Sequence, residues 1–191
     1  MELTRRRRNL VCNPLPAAAL IVLAGSAAAF AAPANDLCAS ALPISLNGTV
    51  SGTTVTGTID GSASCGNSNA APDVWYSLTT DATVTGQDLV FIITAASYDT
   101  VVSVHSGCPG SSTQLGCDDD TAGNLRSKVT LSGLTAGQAL KIRVGGFNGA
   151  SGTFTMQAYY QAAPPPPTPA PHLNTPPRPP PARHQAQSTN A

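Results

Sequence analysis

Leu89-Val90-Phe91-Ile92-Ile93 is an unbroken apolar run of strand length. It is too short for a solitary buried helix, and it is rich in residues that pack well on a pleated surface. It reads as a central strand covered on both faces. Working outward, Asp73-Val74-Trp75-Tyr76-Ser77-Leu78 alternates, which puts Val74, Tyr76 and Leu78 on one face and Trp75 on the other. Val101-Val102-Ser103-Val104, Lys128-Val129-Thr130-Leu131, Leu140-Lys141-Ile142-Arg143-Val144 and the stretch from Gly152 to Tyr159 extend the pattern downstream. Upstream, residues 41–46 and the threonine-rich residues 49–58 add two more strands. Asn47-Gly48, Gly66-Asn67, Pro109-Gly110 and Asn148-Gly149 supply turns between them. Short strands at fairly regular spacing, with no long 3.6-residue periodicity, predict one all-β sandwich domain.

The flanks differ in character. Arg5 to Arg8, the apolar run from Ala17 to Phe30 and the small residues Ala29 and Ala31 form an export signal over residues 1–31. The run is shorter than the ~20 residues that span a bilayer, so cleavage leaves no membrane anchor. The arginines also fit a twin-arginine signal, and the two export routes are not distinguished. The domain occupies 32–162. From 163 to 191 the chain is proline-rich, with Pro164-Pro165-Pro166-Pro167 and Pro179-Pro180-Pro181. Such a segment lacks amide donors and cannot join a sheet, so a disordered, extended spacer is expected.

Charge and cysteine content narrow the function. The chain has ten acidic and ten basic residues, and residues 1–31 take Glu2 and Arg5 to Arg8. Nine acids and six bases remain, a net of −3, which disfavours a nucleic-acid partner. Cys38, Cys65, Cys108 and Cys117 form an even set in an exported chain and read as two disulfides. Cys108 and Cys117 flank the turn-like Pro109-Gly110-Ser111-Ser112 and are expected to pair across a hairpin; elimination then pairs Cys38 with Cys65.

Candidate chemistry is sparse. His105 is the domain's one histidine, and Ser103 and Asp99 lie near it in sequence, but no nucleophile elbow or other catalytic signature accompanies them. No catalytic residue is assigned, and the chain is read as a non-enzyme. Asp118-Asp119-Asp120 concentrates three carboxylates, which a hard cation would relieve. With Asp99, and Asn124 if its loop comes near, they form the candidate metal set. Calcium is the cation considered, against the alternative of a solvated turn. Trp75 and Tyr76 are the candidate ligand contacts, since alternation turns Trp75 away from the core.

Several blocks, taken in order, resemble the bacterial pre-peptidase C-terminal domain family. They are Asn35-Asp36-Leu37-Cys38, Asp73-Val74-Trp75-Tyr76, Tyr98-Asp99-Thr100-Val101-Val102-Ser103-Val104, Ser106-Gly107-Cys108-Pro109, Cys117-Asp118-Asp119 and the run from Ile142 to Phe147, with Gly152-Thr153-Phe154 closing the set. The resemblance implies an antiparallel, jelly-roll-like β-sandwich that works beside extracellular enzymes. Relatives in clostridial collagenases bind collagen and calcium. The module is expected to stand without a preceding peptidase domain, so fold is expected to transfer better than function. The expectation is a secreted or periplasmic monomeric accessory module that attaches to an extracellular polymer, protein or enzyme. The alternatives are a structural envelope protein spaced by its tail and, more remotely, a small hydrolase.

Overall fold

The computed structural model describes residues 31–165 apart from Ser111. The export signal and the proline-rich tail beyond 165 lie outside these residues. Nine strands make two sheets: β1 (Leu42–Pro43), β2 (Gly48–Thr53), β3 (Val74–Thr79), β4 (Gln87–Ala96), β5 (Thr100–His105), β6 (Gln114–Asp118), β7 (Lys128–Leu131), β8 (Ala139–Gly146) and β9 (Thr153–Ala162). One sheet runs β1-β3-β8-β5-β6 and the other β2-β9-β4-β7. All pairings are antiparallel except β1 with β3. Helical structure among the described residues is confined to three-residue 3-10 turns, and no helix is long and apolar enough to cross a membrane. The expected all-β sandwich is the observed one.

Alternation builds the core. Val74, Tyr76 and Leu78 of β3 stand opposite Val144, Ile142 and Leu140 of β8, and all six are buried. Leu89, Phe91 and Ile93 of β4 close the layer from the second sheet, and Tyr76 meets Phe154 edge-on at 6.1 Å. The strand read as central is indeed flanked on both sides, by β9 and β7.

Three local readings are corrected. The strand expected over 41–46 shrinks to Leu42–Pro43, because Pro43 has no amide to continue a ladder. The threonine-rich strand stops at Thr53, where the chain leaves the sheet. Strand β6 was not expected at all, since Gln114-Leu115-Gly116-Cys117-Asp118 has little strand-forming character. Its glycine has a packing cause: a Cβ at Gly116 would lie 2.8 Å from both Leu131 and Val129.

The cysteine pairing is also corrected. The disulfides join Cys38 to Cys108 and Cys65 to Cys117, with Cα–Cα distances of 5.6 and 6.1 Å. The β5–β6 register explains why the hairpin pairing fails. Cys117 stands opposite Ser103, well inside the ladder, whereas Cys108 lies in the connecting loop and faces no residue of β6. Each bridge closes a long loop, with sequence separations of 70 and 52, and in the chain-entropy account each stabilises the fold by about 4 kcal/mol.

The other face of the five-stranded sheet is covered as well. Trp75, Val101, Ser103 and Arg143 point away from the core, yet none has exposed surface. The connection from residue 54 to 73 lies over them as a third layer. Arg143 Nε donates to Asp73 Oδ2 at 2.6 Å, Nη1 to Ser68 Oγ at 3.0 Å and Nη2 to the Ser68 carbonyl at 2.9 Å. The indole N–H of Trp75 donates to Asp60, whose other oxygen accepts from the Cys38 amide at 2.8 Å. Gly61 passes so close that a Cβ there would sit 2.6 Å from Trp75 and 2.7 Å from Arg143.

Both partners of the Asp73–Arg143 ion pair are fully buried. Replacing one leaves the other charged and without compensation. Arg143→Met is expected to cost about 3–5 kcal/mol in urea unfolding, and the double variant Asp73→Asn/Arg143→Met to recover part of that loss. Equal losses in the single and double variants would show that the pair contributes through packing alone.

Candidate metal centre

Tight connections at one end of the sandwich bring the acidic residues together. The β6–β7 loop is organised by Asp118, whose Oδ2 accepts from the amides of Thr121 at 3.0 Å and Lys128 at 2.7 Å, while Oδ1 accepts from the Thr121 hydroxyl. Asn124 and Leu125 adopt left-handed backbone, with φ of 54° and 58°, and turn the chain back sharply. The Leu125 carbonyl then accepts from the Thr100 amide at 3.1 Å, and the Arg126 guanidinium donates to the Thr94 carbonyl. These bonds fasten the loop to β4 and to the start of β5, beside Asp99.

As a result, Asp99, Asp119 and Asp120 each offer a carboxylate oxygen, and these oxygens lie within 4.8 Å of one another. Asp118 does not join them. Of the four aspartates expected to hold a metal, it is spent on the loop's own amides and hydroxyl, so its role is to shape the site. Asn124 is exposed and serves the turn.

The electrostatics of the cluster are unfavourable without a counter-charge. Partial burial, then the charges of Asp99, Asp120 and Asp118, push Asp119 up to about 6. Asp99 is raised by partial burial and then by Asp120. One oxygen of Asp99 and one of Asp119 are sealed from solvent without a hydrogen-bond donor among the described residues. Unpaired buried acceptors are costly, and a hard cation with oxygen ligands is one way to satisfy them. The site is also braced covalently: Cys117 lies two residues before Asp119, and its partner Cys65 precedes Gly66. Gly66 lies against the cluster, 3.3 Å from Asp119 Cγ at the position a Cβ would take.

The remaining candidates fall elsewhere. Trp75 is turned away from the core as expected, but the 54–73 connection buries it completely, so it offers no face to a ligand. Tyr76 is 2 % exposed and belongs to the core. The expected ligand contact through these two rings is therefore corrected. Ser103 and His105 do meet, with Oγ 2.9 Å from Nε2. Ser103 has no exposed surface, however, and no carboxylate is hydrogen-bonded to the imidazole among the described residues. The buried pair of Asp73 and Arg143, with the half-buried Asp60 beside it, was missed by sequence reasoning. Its one signal was an arginine at an alternating position opposite Trp75, which reads equally well as a solvent-facing charge.

The pH dependence of stability in chelator follows from three raised acids, Asp73, Asp99 and Asp119. Asp73 is also pushed up to about 6 by burial, with Asp60 adding to the rise and Arg143 opposing it. Between the ordinary carboxylate range, near 3.8, and about 6, the folded state keeps protons that the unfolded chain has released. Stability should therefore fall as pH rises through that window and level off above it. Asp119→Asn is expected to reduce the fall by ~1 kcal/mol once solvent screening is allowed for. Urea melts at acidic and neutral pH check this, and an unchanged fall in the variant would refute it. Comparison with protein-family models, with curated proteins and with solved structures gives no match, so the chemistry of this site rests on its own geometry.

Proposed function

We propose that this chain is an exported, non-catalytic binding module whose loop rim is ordered by calcium, and that it attaches to an extracellular polymer, protein or enzyme. The observation that carries this reading is the convergence of Asp99, Asp119 and Asp120 with two sealed, donorless oxygens among them. Carboxylate oxygens on adjoining loops suit calcium, which accepts irregular shells of six to eight oxygens, better than magnesium, which demands a near-octahedral one. Two disulfides fit an oxidising, extracytoplasmic setting. The burial of Ser103 supports a binding role over a hydrolytic one, since a substrate has no path to its hydroxyl.

In this reading Asp118 holds the loop in place, the three other aspartates take the ion, and the ion removes their mutual repulsion. The charge change then stiffens the loops at that end of the sandwich. A ligand that binds only the folded state stabilises it by about 2.7 kcal/mol at a hundredfold excess over its Kd.

Calcium at millimolar concentration is therefore expected to raise the melting temperature by several degrees, read by calorimetry against chelator. Asp119→Asn should abolish that rise while staying at least as stable as the parent in chelator. No calcium effect on the parent would overturn the cation part of the reading. Co-sedimentation with collagen, chitin, cellulose and peptidoglycan tests attachment: saturable retention by one polymer supports it. Retention by none, with no protein partner captured, counts against it.

A further inference from the structure

A second feature lies on the covered face of the five-stranded sheet, beyond the acidic cluster. A cleft of about 390 Å³ opens there, lined among others by Ser64, Asn69, Trp75, His105, Ser112 and Gln114. Its size falls within the range of small-ligand sites, about 300–1,000 Å³. Its lining contains hydroxyl, amide, imidazole and indole groups, with no carboxylate, ammonium or guanidinium.

The cleft is held rigid from several directions. Cys38–Cys108 fixes the segment that carries Pro109 and Gly110, and Cys65–Cys117 fixes the segment that carries Ser64. Gln114 joins the walls, accepting from the Ser64 amide at 2.9 Å and donating to the Ser64 hydroxyl at 2.5 Å. Asn69 accepts from the Ala63 amide at 2.8 Å, and its exposed amide NH₂ remains available to a ligand. His105 forms part of the lining. Its Nε2 is tied to Ser103, and its ring leans on Trp75 at 5.6 Å with a 54° tilt. Burial, then Arg143, lowers the imidazole's affinity for protons, so the ring is neutral at pH 7.

A neutral lining disfavours a charged ligand, which would lose its hydration without gaining a partner. Hydroxyl and amide groups on segments tied down by the two disulfides suit an uncharged, polyhydroxylated molecule, and a braced site reduces the entropy lost on binding. We infer that this cleft is a subsite for a neutral saccharide unit, which makes a neutral polysaccharide the polymer that the module attaches to. The inference rests on the binding-module reading and not on the cation site.

Trp75 is the single tryptophan in the chain and lies covered just beneath the cleft, against the His105 ring, so its emission senses occupancy through the lining. The purified domain would be titrated with glucose, N-acetylglucosamine and their soluble oligomers, with glucuronate as the charged counterpart. At least one neutral sugar is expected to change the emission saturably and to bind more tightly than glucuronate. Gln114→Ala should weaken that binding ~10-fold, and Ser64→Tyr, which fills the mouth from an exposed position, should remove it. Melting temperatures of both variants control for folding. No emission change with any neutral sugar at up to ~50 mM would overturn the inference. So would preference for glucuronate, or full binding by both folded variants. If the domain pellets with a polymer while Trp75 stays unmoved, the cleft is refuted and the binding module stands. If it neither pellets nor responds to sugar, the cleft is refuted, and the binding module falls with it once no protein partner is captured either.

Discussion

The fold depends on what it means to place Arg143 in the middle of a sheet with no access to water. Strand β8 puts it on the face opposite the core, where an uncovered arginine would be an ordinary surface charge. Instead the connection from 54 to 73 crosses that face and brings Asp73 and Ser68 to the guanidinium. A buried cation tolerates little error in the position of its partners, since an unmet charge costs far more than a well-paired one returns. Asp73, adjoining β3, therefore fixes where the connection ends, and Ser68 fixes its path. Asp60 and Gly61 then hold it down over Trp75.

Both other features of interest follow from that third layer. Laying the connection over the sheet brings Cys65 to Cys117 and the N-terminal Cys38 to Cys108. Each bridge thus links the covering layer, or the segment leading into it, to the β5–β6 hairpin. One end of the hairpin leads into Asp118 to Asp120, where the loop folds back on Thr100 and meets Asp99. Its other end, the loop around Cys108, forms a wall of the neutral cleft. The covering layer so defines two chemically opposite places, one crowded with carboxylates and one with no ionised group in its lining.

Much of this architecture was legible in the chain. Period-two alternation in β3, β8 and β9 and the apolar run in β4 mark a strand whether or not its neighbours are known. The clustering of Asp118 to Asp120 was plain, and so was the involvement of the domain's four cysteines in bridges. What escaped was β6, whose Gly116 is chosen for a close approach to Val129 and Leu131 and so weakens the very signal that would identify a strand. The division of labour among the aspartates escaped as well. Whether Asp118 turns to its own loop or to Asp99 depends on hydrogen bonds closed by Thr121 and Lys128, not on carboxylate spacing.

By itself, then, the sequence determined the all-β class, the core faces of the main strands and the stretches that turn, because these are consequences of local sterics and of burying one face of a strand. Only the tertiary structure decided the cysteine pairing, the burial of Trp75, the meeting of Asp99 with Asp119 and Asp120, and the cleft beside His105. Each of these depends on how a long connection is laid across a sheet, and that path is set by contacts between residues tens of positions apart. Alternation says which way a side chain points; it says nothing about what the rest of the chain will place over it.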